Sequence, residues 1–385
     1  MRIVDIKEKT VEIFRFEDPA IPSEGLTTSI VAIVTDAIRN GSPVIGYGFS
    51  SFGRYAQGGL IRERFAPRLM RAESSELLTP EQSNFDPIRA WDVMMKGEKP
   101  GGHGERCVAV GTLDMALWDI SAKIEGQPLN RFITEKVGIK ADPQKDVSVY
   151  AGGGYVYPDH DIKRLSEEIS RHVDLGFKQV KIKIGSLPLS EDAKRIGAVA
   201  ALLSSTSNLA VDAMSSYDQA KSLKAASVLS AFGLWWFEDI CDPLDFETLT
   251  MVAERYFGPI AAGESLFSLP EAKLLHRYGG LRRDRDRLLF DPVHCYGLTG
   301  YLQIYRFLLQ NGWRPSAFWP HGSPQFCLHV ASALQLGGAE CNPSSFWPLG
   351  MPIGTVTEGR LKPSEGPGIG YESNSDAFRL FQLLG

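Results

Sequence analysis

Short β-branched and aromatic runs alternate with amphipathic segments over most of this chain, and the alternation predicts strands joined by helices around a parallel sheet. From about Val147 the runs are VSVYAGG, QVKIKIG, LAVDAM, LWWFEDI, PIAAGES, LLFDPV, SAFWPHG and GAECNP. Between them, apolar residues recur at three- and four-residue spacing in segments such as IKRLSEEISRHVDLG, FETLTMVAERYF and GYLQIYRFLLQNG. Eight strands and seven intervening helices predict an α/β fold, a modified TIM barrel of the (β/α)7β kind, over residues 147–342. Residues 1–130 read differently. VDIKEKTVEIFRF and TSIVAIVTDAI alternate like antiparallel strands, VIGYGFSSFGRYAQGG is a Gly-rich turn, and RERFAPRLM and VAVGTLDMALWDISAKIEG are helical, the latter stopping at Gly126. This is an expected α+β capping domain. The proline-punctuated tail, 343–385, with Pro343, Pro348, Pro352, Pro363 and Pro367, is expected to return to it.

Composition narrows the function classes. At 385 residues, 43% hydrophobic, 23% charged and with a formal charge of −5, the chain suits one large barrel plus a smaller domain and offers no basic surface for nucleic acid. No apolar run reaches the roughly 20 residues of a membrane span, and the start, MRIVDIKEKTVEIF, reads as a strand and not as a signal segment, so the expected location is cytoplasmic. Five cysteines, Cys107, Cys241, Cys295, Cys327 and Cys341, form no C-x-x-C pair and read as reduced, mostly buried thiols.

Polar residues close the successive strand runs. Lys183, Asp212, Glu238, Glu264, Asp291 and His321 follow one another at intervals of 29, 26, 26, 27 and 30 residues, about one βα unit each. Side chains at strand C-termini share the mouth of such a barrel, so these groups are expected to converge. Any one acidic residue there would read as a helix cap or a loop charge. Three from consecutive strands, Asp212, Glu238 and Glu264, would repel one another and predict a hard divalent cation, Mg²⁺; the absence of His and Cys argues against zinc. In QVKIKIG, Lys181 and Lys183 share one strand face and Val180, Ile182 and Ile184 the other, which points both lysines into the lumen. Like charge and a nearby cation are expected to depress the ammonium pKa and prepare a general base. Asp291 and His321 are expected to form an oriented acid–imidazole pair. The Trp235–Trp236 pair reads as barrel packing, and RRDRDR as a solvated turn or subunit contact.

With K-x-K at Lys181 and Lys183, VDA at Asp212, FEDICDP at Glu238, AAGES at Glu264, FDP at Asp291 and PHGS at His321, the chain resembles the mandelate racemase subgroup of the enolase superfamily over nearly its whole length. GGLIRERFAPR, EKPGGHGER, GYVYP, YGGLRRDRD and PGIGYE resemble the D-tartrate dehydratase branch. The resemblance implies a Mg²⁺-dependent dehydration of a hydroxy acid, an acid sugar or tartrate-like diacid, to a keto acid. Lys183 would abstract the α-proton, Mg²⁺ would stabilise the enediolate and His321 would protonate the departing hydroxide. Lys99 and Tyr155 match substrate-contacting positions, Glu340 is a further candidate to meet a substrate carboxylate, and related barrels assemble as symmetric homo-oligomers. The chain departs from the pattern at Met214, where the family usually has Asn, at Phe52 before Gly53 and Arg54, and in the loop DPAIPSEG, which lacks an evident polar substrate contact. Racemisation or epimerisation by Lys183 and His321 as opposed bases, and a non-catalytic metal-binding barrel, are the alternatives. The Gly-rich pieces AGGGYVYP and GPGIGYE lack the G-x-G-x-x-G spacing of a nucleotide site.

Overall fold

A computed structural model describes residues 1–14 and 26–385. The DPAIPSEG loop lies outside the described residues. The first three strands, β1 (Ile3–Phe14), β2 (Leu26–Arg39) and β3 (Ser42–Phe49), form an antiparallel sheet in that order. After a helical run across 58–71 come α1 (Pro87–Met95), α2 (Glu105–Glu125) and α3 (Leu129–Val137). Every residue of α2 from Cys107 to Lys123 is buried, because the helix is enclosed by β2 and β3 on one side and a barrel helix on the other. A helix apolar all round is stable only in such a position. It ends at Gly126 (φ 69°), the stop expected from the sequence.

The barrel strands are β4 (Val147–Gly153), β5 (Gln179–Lys183), β6 (Leu209–Asp212), β7 (Trp236–Glu238), β8 (Ile260–Ala262), β9 (Arg287–Leu288) and β10 (Ala339–Cys341). They are parallel, in the order β10-β4-β5-β6-β7-β8-β9. The run SAFWPHG, expected as the seventh of eight strands, instead makes a single parallel bridge from Phe318 to Leu288. Its backbone still closes the curl: Trp319 N donates to Leu288 O (2.9 Å) and Gly337 N to Phe318 O (3.0 Å). Pro320 lacks the amide a longer ladder needs. The fold is therefore the expected modified TIM barrel with an antiparallel cap, with seven strands on its continuous hydrogen-bonded path.

The helices α4 (Asp161–Asp174), α5 (Leu189–Ala200), α6 (Gln219–Leu229), α7 (Phe246–Arg255), α8 (Leu269–Tyr278), α9 (Gly297–Gln310) and α10 (Pro324–Leu334) surround the sheet. Val180, Ile182 and Ile184 join the main core beneath them. Inside the barrel, Trp236, Trp319 and Tyr150 pack with Ala210, Ala261 and Leu289, the packing role expected of the tryptophan pair. Among the described residues no helix is long and apolar enough to cross a membrane. All five cysteines are buried and free.

The tail joins both parts. Its strand β11 (Arg360–Leu361) pairs antiparallel with β4, Ile369 N donates to Asp119 of α2 (2.7 Å), and α11 (Ser375–Gln382) sets Phe378 and Phe381 against Tyr47 of β3. Asp119 also accepts from Tyr47 N (3.0 Å) and Lys123 (2.5 Å), so one carboxylate fastens sheet, helix and tail.

His329 on α10 makes a similar clasp. Its Nδ1 faces the Asn130 amide (3.2 Å) and its Nε2 the Ile369 carbonyl (3.1 Å), which requires a neutral ring with the proton on Nε2. Burial lowers its pKa from 6.5 to about 4. Because the unfolded chain binds this proton more tightly, its contribution to stability is complete above about pH 6.5 and is lost as the pH falls through 4. His329→Gln is expected to flatten the acid limb of stability, removing on the order of 2–3 kcal/mol of the difference between neutral pH and pH 4. Urea midpoints measured across that range check this; an unchanged slope would contradict it.

Candidate active site

Strand register assembles the centre of the mouth. Lys183 on β5 lies level with Asp212 on β6, which lies level with Glu238 on β7. Glu264 follows two residues after β8, and one oxygen from each of Asp212, Glu238 and Glu264 falls within 4.8 Å of the others. Asp239, next to Glu238 and also buried, adds another acid: burial pushes its pKa well up, and Glu264 and Asp212 push the same way. With Glu340 and Asp291, six carboxylates share this region with three basic groups, Lys181, Lys183 and His321. That excess of negative charge and the all-oxygen donor set fit a hard divalent cation held by Asp212, Glu238 and Glu264.

Lys181 is buried, and its Nζ lies 2.6 Å from Glu238, 3.2 Å from Glu340 and 3.8 Å from Asp212. Burial pulls its pKa down, but these carboxylates outweigh it and hold the ammonium charged. The second oxygen of Glu238 accepts from the Trp236 indole (2.7 Å), so both its oxygens are fixed. Lys183 hydrogen-bonds Asp212 and lies over the Tyr155 ring at 5.6 Å. Burial and Lys181 depress its pKa, but the contact with Asp212 outweighs them and raises it. Asp212 is correspondingly held below its ordinary value, burial being overcome by the two lysines. The Met214 amide donates to its other oxygen (2.7 Å), which puts Met214 at φ 48° beside the cluster.

On the opposite flank, His321 Nδ1 is 3.0 Å from Asp291 Oδ2, and its Nε2 is 3.4 Å from Glu264. Burial lowers the imidazole pKa, but Glu264 and the Asp291 hydrogen bond raise it to about 9, so the ring is protonated at neutral pH. Asp291 is held at about 2 despite its burial, chiefly by His294 and His321. Ser51 of the cap donates to the same Asp291 oxygen (2.6 Å). Two neighbours extend that cap contact: Phe52 stacks on Phe346 at 4.1 Å, and Arg54 reaches Ser265 at 3.4 Å. The loop that departs from the resemblance thus seals the cap onto three barrel loops.

The structure brings together Lys181, Lys183, Asp212, Glu238, Glu264, Asp291, His321, Tyr155 and Glu340. Glu340 points at Lys181, and its Oε2 makes no hydrogen bond among the described residues. Gly152, level with Lys181, is required here because a Cβ would collide with the Glu340 carboxylate. Lys99 lines a cavity of about 220 Å³ with Trp91, His103, Arg106 and Tyr296. Sequence reasoning did not single out Ser51, Asp239, His294 or Arg195, and it read Trp236 as packing alone. Arg195 binds the carbonyls of Gly154 (2.9 Å) and Tyr155 (3.1 Å) and also that of Lys183, bracing the β4 and β5 ends. Trp236 carried a usable signal, since it shares a strand face with Glu238 two residues on.

A barrel whose strand ends gather three carboxylates, two lysines and an acid–imidazole pair defines a metal-binding enzyme site. The family described as "Enolase C-terminal domain-like" matches residues 164–377, more than half the chain, and the protein belongs to it, within the mandelate racemase and muconate lactonizing enzyme subgroup of the enolase superfamily. The chain is similar to the arabinonate dehydratase of Saccharolobus solfataricus, 25% identical over 374 residues and 95% of each chain. It is also similar to the L-talarate/galactarate dehydratase of Salmonella typhimurium, 27% identical over 92% of this chain and 83% of that one. In fold it matches a racemase from Streptomyces coelicolor with bound magnesium (TM-score 0.77, 21% identity, 96% of each chain). An L-talarate dehydratase from a Polaromonas species, complexed with Mg and L-glucarate, gives a TM-score of 0.75 at 23% identity over 96% of this chain and 94% of that one.

Lys181 provides a direct test of the charge balance. Lys181→Met leaves Glu238 and Glu340 buried without their shared counter-charge and is expected to lower unfolding stability by about 3–5 kcal/mol. Urea unfolding measures the loss; a change within about 0.5 kcal/mol, as at an ordinary surface site, would show that the carboxylates are otherwise compensated.

Proposed function

We propose that this protein is a Mg²⁺-dependent hydro-lyase that removes water from a hydroxy acid of the acid-sugar class to give a keto acid. The observation that carries the reading is the flanking of one carboxylate cluster by two different proton-transfer groups, Lys183 against Asp212 and His321 against Glu264. Mg²⁺ held by Asp212, Glu238 and Glu264 would supply positive charge to the substrate carboxylate as it gains electron density. Lys183 takes the α-proton, a role open to it when Asp212 is committed elsewhere and no longer holds the ammonium proton in place. His321 carries a proton at neutral pH and delivers it from Nε2 to the departing hydroxyl, with Asp291 fixing the ring through Nδ1. Tyr155 beside Lys183 is placed to meet the substrate.

Relatives named as arabinonate and talarate/galactarate dehydratases support an acid sugar. The tartrate resemblance of the local phrases is offset at two positions, where the thioether of Met214 and the stacked ring of Phe52 offer no side-chain hydrogen bond to a small diacid. Racemisation is the second reading, favoured by the same opposed placement of Lys183 and His321.

The two separate in a screen of acid sugars and small hydroxy diacids with Mg²⁺, read by semicarbazide detection of keto acid and by α-proton exchange in D₂O. Lys183→Ala is expected to cut exchange by roughly 10²–10⁴-fold while sparing the fold. His321→Asn is expected to keep exchange and lose keto acid, and Glu238→Gln to weaken Mg²⁺ binding in calorimetry. Turnover retained in the lysine variant would remove the base assignment, and a product of unchanged mass would favour racemisation.

A further inference from the structure

His294 is a buried imidazole that the reaction above does not use. It lies one turn beyond Asp291, in a segment where Asp291 Oδ1 accepts from the amides of Val293 (2.7 Å) and His294 (3.3 Å). That arrangement leaves Asp291 Oδ2 facing both imidazoles, with His321 Nδ1 at 3.0 Å and His294 Nδ1 at 3.7 Å. Among the described residues neither ring nitrogen of His294 has a hydrogen-bond partner, although the side chain is almost wholly enclosed (2% exposed). Buried polar groups in folded proteins are nearly always satisfied, and an orphaned imidazole calls for a ligand. One donor atom from each of Asp291, His294 and His321 falls within 4.8 Å of the others. Ser51 braces the shared carboxylate from outside the set, as an outer hydrogen bond orients a metal-ligating group.

We propose that Asp291, His294 and His321 form a second cation site, selective for a borderline transition metal such as Zn²⁺, beside the all-oxygen Mg²⁺ site. Two imidazole nitrogens and one carboxylate oxygen are a donor set that Mg²⁺ binds poorly and Zn²⁺, Co²⁺ or Cu²⁺ binds well. The two sites adjoin through one side chain: His321 offers Nδ1 to this cluster and lies 3.4 Å from Glu264 through Nε2. A cation here would occupy the Asp291–His321 pair and so compete with proton donation by His321.

Metal uptake tests the site without reference to turnover. After dialysis against Zn²⁺ with excess Mg²⁺ the full-length protein is expected to hold roughly one equivalent of Zn²⁺, Glu238→Gln to keep it and His294→Gln to lose it, because only the imidazole site prefers Zn²⁺. With Cu²⁺, pulsed EPR of the unaltered protein and of Glu238→Gln should show nitrogen modulation from two imidazoles, and His294→Gln should lose that two-imidazole signal. The EPR arm on the unaltered protein and Glu238→Gln stands even if His294→Gln does not fold. Zn²⁺ uptake that is the same in His294→Gln as in the unaltered protein, or a Cu²⁺ signal without two imidazoles, overturns the assignment. Failure of the acid-sugar screen leaves these readouts intact, and their failure leaves the hydro-lyase reading intact.

Discussion

The Lys181 ammonium, almost entirely removed from water, has to be neutralised by carboxylates brought from three other strands. Its partners, Glu238, Glu340 and Asp212, sit on β7, β10 and β6, so the charge can be compensated only when the sheet has curled and its register is correct. A one-residue slip in β5 would turn both lysines into the helix-packed face and bring Ile182 to the mouth. The same pairing sets the metal cluster. Glu238 is held by Lys181 and the Trp236 indole, Asp212 by Lys183 and the Met214 amide, and the carboxylates are thereby oriented before any cation arrives. Such orientation is what a catalytic metal site requires of its surroundings.

Among the described residues the cap meets the candidate site through Ser51, Phe52 and Arg54. Ser51 shares the Asp291 oxygen that orients His321, while Phe52 and Arg54 hold the loop to barrel segments after β10 and β8. Asp291 thus receives hydrogen bonds from both halves of the molecule. The imidazole it orients depends on the cap being seated.

Much of this architecture was legible in the sequence because strands impose strict parity. K-x-K could place both lysines on one face only, and three acidic residues closing consecutive runs pointed together to the barrel mouth. Features that depend on contacts between distant segments were not legible. Nothing in SAFWPHG announces that its pairing shrinks to a single bridge, and nothing in SSFGR announces that Ser51 meets Asp291. The Lys183–Asp212 contact was hidden for a related reason: the sequence showed Lys181 two residues away, but only register showed that Asp212 touches the ammonium directly.

The closing stretch of chain runs from β4 at the barrel, past His329 and Asp119, to Tyr47 on the cap sheet. It works as a lace threaded through both pieces. Neither piece is a module that recombination could lift out whole, since excising the barrel would strip an outer strand from β4 and leave the acceptor and donor groups of α2 and α10 unmatched. A clean cut between the two halves would leave unmatched polar groups on both sides.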